Sequence, residues 1–568
     1  MDSRYEEHLR VLLQGGQALA RVYPRAADRL AARGFDPDVE RLLEGLAHIT
    51  SKIEAKHDHS FPEICQLMLD ILFPHFLCPL PALGVAELSG EPCRVPRGTG
   101  LEMTPVMETA CRFQTAYDVE LTGLELEEVS WRERGRQRQL SLRIGVGPEA
   151  SLGSIDTLRL HLHGEPLLTR SLYHWLLARL DSLELLDSLG RTVALNRSCR
   201  LRPLGFSTEE ALFPWPFGSF PGFRLIQEYF ALPQKLLFVE VPDVGEMLEQ
   251  LPPAAPGEPE RFTLRFNLRV DGSRALVVTR QNIRLHCTPV VNLFAHSADP
   301  IQHTHRSPEF LVRPAGPHLH YQVYRLTRVT GWSPTGTTHY PLLSELDMED
   351  AGGSFCQVFR RQVGEDVRTY ISVYNGSRLP SRETLLCDLL CSNGKVPMGL
   401  RVGDGGQLDG PFQELGCRLI TPLTPSASVP MGRSLRWRLV KHLALAQRDL
   451  TSLEAMRDAV ALYNFPAIVD PQLRRALALL LRGMLRAETQ LVHHRHQRIP
   501  VLGHSTTLTM DESAFDTEAE LFLFGGVLNE YVALQAPINT FSELQIHTTR
   551  SQDVYRWPKR LGKQTLAP

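Results

Sequence analysis

No stretch of this 568-residue chain supplies the run of roughly 20 apolar residues that a membrane-spanning helix needs; the nearest candidate, LALLLRGML around Leu477, is broken by Arg482. The start, MDSRYEEHLR, places Glu6 and Glu7 where a signal peptide would carry positive charge and then an apolar run. Ten cysteines are scattered singly, at 65, 78, 93, 111, 199, 287, 356, 387, 391 and 417, without the dense spacing of a disulfide framework. A basic surplus is also missing: net charge is -3 and the pI about 6.7, which argues against nucleic acid as a main partner. Gly and Pro together number 81, so no collagen-like or long low-complexity part is expected. There is no GxSxG elbow, HExxH, Walker loop or GxGxxG after a strand, and no internal repeat. These absences predict a reduced, cytoplasmic globular protein that is not an enzyme and holds no cofactor.

What is present is an order of element types. Residues 1–84 carry helical signals: Asp36-Pro37 reads as a cap with proline at the first helical position, and Val39, Leu42, Leu46, Ile49 and Ile53 follow at helical spacing. Ser60-Phe61-Pro62-Glu63 has the form of a capping box and leads into Ile64, Leu67, Met68, Ile71 and Leu72 on one face. From about Val85 the period falls to two. SLRIGV, LRLHLHG, RFTLRFNLRV and HYQVYRLTRV alternate apolar and polar residues as half-buried strands do. Arg132, Arg134, Arg136 and Arg138 alternate around Gly135 and read as a protruding basic hairpin. Helical signals return late, with cap patterns at Thr451-Ser452, Asp470-Pro471 and Thr517 and a short strand near Leu544 and Ile546. The prediction is a multidomain α+β chain with a helical N-terminal region (1–84), three β-rich domains (85–213, 214–340 and 341–435) and a mixed helical and strand C-terminal domain (436–568).

Two clusters offer candidate sites. His303 and His305 share a strand face, and Glu309 and His339 follow at cupin-like spacing, so the four form a candidate site for iron, manganese or zinc. Against that, the glycines expected to lead the two cupin motifs are Ser297 and Arg328, and HxH recurs at 57/59, 161/163 and 318/320. His493-His494-Arg495-His496 reads as an exposed polar connection, and Cys387 and Cys391 as buried small hydrophobes. The second cluster is aromatic: Phe217, Phe220, Phe223, Tyr229 and Phe230, among prolines at 214, 216 and 221 that predict an extended loop in part. Large rings anchor both domain cores and partner interfaces, so the segment is a domain junction or a partner seat.

That segment, PWPFGSFPGFRLIQEYF from Pro214, resembles the central signature of the TssF family, the baseplate wedge subunit of bacterial type VI secretion systems. Other segments resemble the family in the same order, among them DPDVERLLEGLAHITSKIEAKHDHSFPE from Asp36, LFPHFLCPLPAL from Leu72, HCTPVVNLF from His286, WRLVKHLALAQRDLTSL from Trp437 and FLFGGVLNEYVALQAPINTF from Phe522. The resemblance implies a fold similar to the wedge proteins of contractile phage tails. It implies a second TssF copy, TssG, TssE and TssK as partners, in wedges that close around the spike and support the inner tube and sheath. It further implies docking at the inner membrane complex without insertion, and it makes Val39, Leu42, Leu46, Ile49 and Ile53 a candidate bundling surface.

Overall fold

The computed structural model describes residues 9–12, 41, 44–49, 63–134, 137–216, 218–252, 260–270, 276–303, 307–334, 336–346, 353–364, 366–375, 382–431, 434–496, 499–538 and 540–562. The architecture is mixed α/β with strands dominant. All four alternating segments fall mostly in strands, Gln137–Val146, Leu158–Leu162, Arg261–Arg269 and Gln322–Ser333. The period is visible in Arg261–Arg269, where Phe262, Leu264, Phe266 and Leu268 are buried and the residues between them are not.

A closed barrel organises the first part of the fold. Its strands run Leu83–Ser89, Cys287–Val291, Thr109–Thr115, Gly100–Val106, Gly405–Leu408 and Gly416–Leu419, the last pairing back onto the first. Leu88, Leu101, Met103, Phe113, Val290 and Leu419 fill it. These strands come from all three of the intervals expected to be separate β-rich domains, so sheet pairing crosses residues 214 and 341. Backbone groups must find partners wherever the chain brings a free edge, and periodicity carries no information about which strand that will be.

A five-stranded antiparallel sheet is inserted between barrel strands, in the order Thr192–Asn196, Leu180–Leu186, Arg261–Arg269, Gln137–Val146, Leu124–Arg134. The last two strands are the expected hairpin, but Arg138 is not a solvated arm residue. It is buried, with its guanidinium 4.8 Å from the Trp175 ring. Arg132 is exposed; Arg136 and Gly135 lie outside the described residues. The β-rich middle also contains helices that alternation concealed, the two longest among the described residues being Pro166–Ala178 and Pro221–Ala231. Each opens on a proline, whose missing N–H costs nothing in the first helical turn. The aromatic segment is irregular at Pro214 and Pro216, as expected of part of it, while Pro221 starts a helix.

The C-terminal region follows its cap signals closely. Asp470 accepts from the Gln472 amide at 2.7 Å to start Pro471–Gly483. Thr517 accepts from the Glu520 amide at 3.1 Å to start Glu518–Ala533, and Ser452, one residue later than Thr451, caps Leu453–Tyr463. The Glu518–Ala533 helix connects two parallel strands, Ile499–Met510 and Phe541–Thr548, and is buried along nearly its whole circumference. The His493-His494 run is not a connection: it lies in the long strand Met484–His496, hairpin-paired with Ile499–Met510.

Candidate functional site at the aromatic junction

Three segments distant in sequence meet at one cluster of rings. Phe223 stacks on Tyr463 with centroids 4.7 Å apart and planes at 10°. Phe220 meets Phe223 edge-on at 5.2 Å and Tyr531 at 5.4 Å. Tyr229 lies 5.5 Å from Phe524, and Phe230 6.5 Å from it. From the N-terminal side, His75 packs 4.0 Å from Trp215 and shares a 2.9 Å hydrogen bond with the Tyr463 hydroxyl. Phe76 meets Phe465 edge-on at 5.4 Å and His442 at 4.3 Å. The Phe73–Phe76 segment thus packs on Trp215 and on the C-terminal rings His442, Tyr463 and Phe465, and the Pro221–Ala231 helix meets the same C-terminal helices through Phe223 on Tyr463; Phe217 lies outside the described residues.

Close packing at this point requires Gly222. A Cβ there would sit 2.3 Å from the Phe220 ring and 2.8 Å from Tyr531. Gly222→Ala is expected to lower stability by about 1–3 kcal/mol, the usual cost of overpacking, read as a lower urea midpoint by tryptophan fluorescence. An unchanged midpoint would mean that the rings yield freely and that the packing is loose.

Beneath the rings lies a buried charge cluster that sequence reading missed. Arg224, Glu228 and Lys235 are each 1% exposed or less. The Lys235 ammonium contacts Glu228 Oε2, and Arg224 Nη1 lies 3.5 Å from the same oxygen. Glu228 Oε1 accepts from the Leu212 amide at 2.7 Å, and Arg224 donates to the carbonyls of Phe206 and Ser207. Burial pulls the Lys235 pKa down to about 8, with Glu228 opposing the shift. The available signal was an Arg and a Glu four apart inside a largely apolar segment, the spacing that places them on one helix face.

The candidate metal ligands do not converge. His303 Nδ1 is bonded to the buried Glu383 carboxylate at 2.7 Å, which also accepts from Tyr340 at 2.8 Å. Glu309 is held by Arg361 through contacts of 2.6 and 2.9 Å. His339 is exposed on the strand Gly336–Tyr340, opposite Thr330, and His305 lies outside the described residues. Among the described residues no group of three or more His, Cys, Asp or Glu is arranged to hold a metal. Strand pairing sets His303 against Glu383 and an ion pair holds Glu309 on Arg361, so cupin-like spacing does not gather the described candidates.

The N-terminal stripe is described in part. Leu46 and Ile49 are 45% and 55% exposed, while Ala47 between them is buried; Val39, Leu42 and Ile53 lie outside the described residues. The helix at 63–72 buries Cys65, Gln66 and Leu69. Ile64, Met68, Ile71 and Leu72, expected on one helix face, are all exposed, so that face is turned to solvent. The reason is a long-range contact: the Gln66 amide donates to the Arg360 carbonyl at 2.7 Å and accepts from its N–H at 2.8 Å, which turns the polar side of the helix inward. Trp437 and Val440, on the helix Ser434–Gln447, are exposed as well, at 73% and 53%.

Residues 1–564 match the family described as "Type VI secretion system, TssF". A curated relative, "Type VI secretion system component TssF1" of Pseudomonas aeruginosa, is 28% identical across 99% of this chain and 98% of its own length. In a cryo-electron microscopy structure of a type VI secretion TssK-TssF-TssG baseplate subcomplex, one chain superposes with a TM-score of 0.77 at 25% identity, covering 93% of this chain and 99% of that one. A chain of a second type VI baseplate complex superposes at 0.60 and 25% identity over the full length of both. The chain belongs to the TssF family of type VI secretion systems.

Proposed function

We propose that this protein is a structural subunit of the type VI secretion baseplate and performs no chemical step. It joins TssG and TssK, and with TssE and a second copy of itself builds wedges around the spike on which the inner tube and contractile sheath assemble. The observation that carries this reading is the near-complete superposition on a chain of a TssK-TssF-TssG subcomplex. The physical role fits: a barrel and sheets locked by a buried aromatic junction hold partners in fixed register, as a wedge requires. Among the described residues no helix is long and apolar enough to cross a membrane, consistent with a subunit that works in the cytoplasm and reaches the inner membrane complex through partners.

Exposed apolar residues that recur along one helix face form the kind of contiguous patch that partners cover. Leu46 and Ile49, exposed at the N-terminal end, are assigned to the bundle with TssG, together with Val39, Leu42 and Ile53. Co-expressed Leu46→Asp/Ile49→Asp protein is expected to lose TssG on affinity purification while its circular dichroism is unchanged. Recovery of a stoichiometric complex would refute the assignment. Phe220, Phe223, Tyr229 and Phe230 are assigned to the internal junction rather than a partner seat, because Phe223 and Tyr229 are each only 6% exposed.

A further inference from the structure

A cleft of about 820 Å³ opens beside the small antiparallel sheet made of Phe310–Leu311, Asp366–Tyr374 and Phe355–Val363. Its backbone geometry is unusual. The strand Asp366–Tyr374 is paired along its whole length on one side, but on the other, among the described residues, its strand partners are Phe310 and Leu311, opposite Ile371 and Tyr370. One further bond, from the Val312 amide to the Thr369 carbonyl at 3.0 Å, ends that ladder. In an antiparallel strand, residues two apart direct their polar groups to the same side. Since Thr369 faces Val312, the N–H and carbonyl of Val367 face the same way, into the cleft that Val367 lines. The opposite edge of the sheet shows the same rule at work: Arg360, paired with Thr369, turns its amide and carbonyl outward, where the Gln66 side chain takes both. One edge is closed by a side chain that imitates a strand; the other stops short at Val367.

The walls of the cleft have a chemical bias. Arg313, Arg368 and Lys395 line it against one carboxylate, Asp366. Arg313 and Arg368 are exposed and make no ion pair among the described residues. Leu319 and Val469, 84% and 57% exposed, line the same cleft. A strand presents alternate side chains to opposite faces, so a segment alternating acidic with apolar residues would meet both kinds of wall at once.

We propose that this cleft receives an extended, acidic-apolar segment of a partner polypeptide, which adds as a strand beside Val367 with its carboxylates on Arg313 and Arg368. Strand addition supplies backbone bonds that do not depend on sequence, and the guanidinium forks select carboxylates. Both arginines are solvent-exposed, so the charge contribution is screened by salt. The proposal does not depend on which assembly holds the chain.

The test uses the full-length protein and a fluorescein-labelled decapeptide of alternating Glu and Val, with binding read by anisotropy at low salt. Three results are expected together. The Glu–Val peptide binds and a Lys–Val peptide does not. Arg313→Glu/Arg368→Glu weakens binding at least tenfold, whereas Arg475→Glu, an exposed arginine on Pro471–Gly483, changes it little. N-methylation of alternate peptide residues weakens binding at least tenfold on the unaltered protein. Equal binding of the two peptides, indifference to the double reversal, or indifference to N-methylation would each overturn the proposal. The last would mean charge attraction without strand addition, as an anionic lipid surface would give.

Discussion

Glu228→Ala is expected to destabilise the protein by about 3–5 kcal/mol, the usual consequence of removing one partner from a buried ion cluster. That is a large share of the roughly 5–15 kcal/mol by which folded domains are stable. The loss comes less from the bonds removed than from the two cations left behind. Arg224 and Lys235 are at most 1% exposed and would lose the one carboxylate they contact, with Glu210 acting on Lys235 only from farther off. The Leu212 amide would also lose its acceptor. Glu228→Gln keeps an acceptor for that amide but not the charge, so it should fall between wild type and Glu228→Ala. Replacing all three with Arg224→Met, Glu228→Leu and Lys235→Met should recover much of the loss, since an apolar cluster avoids the desolvation cost. Urea midpoints of the four proteins measure this directly; a Glu228→Ala midpoint equal to wild type would show that water reaches the cluster.

Acid is expected to be as damaging as any single substitution. Burial lowers the pKa of His75 and His161 to about 3 and of His174, His286 and His442 to about 4. For His75 the neighbouring His442 adds to the effect of burial, and for His161 the neighbouring His163 does. The sign follows from linkage. Above an unfolded value near 6.5 these rings are neutral in both states, and their full contribution to stability is present. As pH falls below 6.5 the unfolded chain binds protons that the native rings do not, so stability declines until pH reaches the native values of 3 to 4. Each such histidine removes up to about 1.4 kcal/mol per pH unit in that window, and several together remove several kcal/mol. Urea midpoints at pH 7.5 and 5.5 should therefore differ strongly. His161→Phe, whose ring would replace an imidazole 4.3 Å from Phe238, should reduce the slope by one histidine's worth. A midpoint that does not move between the two pH values would mean that these rings are hydrated in the native state.

These two effects share a location. His75 and His442 line the aromatic junction, and Glu228 lies on the same helix as Phe223. Weakening the junction loosens the anchorage of the N-terminal region, to which the Leu46 and Ile49 surface assigned to TssG belongs, so acid or Glu228→Ala should reduce TssG capture as well as stability.

Local signals along the chain were enough for the four alternating strands, for the caps at Asp470 and Thr517, and for the ordered series of segments that resembles the TssF family. Each depends on neighbours within a few residues: a period of two, a side chain reaching an amide two or three positions on, a motif read in line. The tertiary structure alone decided which face of the helix at 63–72 is buried, because Gln66 answers to a strand edge almost 300 residues away. It alone brought strands from Leu83 to Leu419 into one barrel, took His303 to Glu383 and Glu309 to Arg361, and sank Arg138 against Trp175. In each case the choice is made by burial and by the pairing of polar groups across long separations, which no local period encodes.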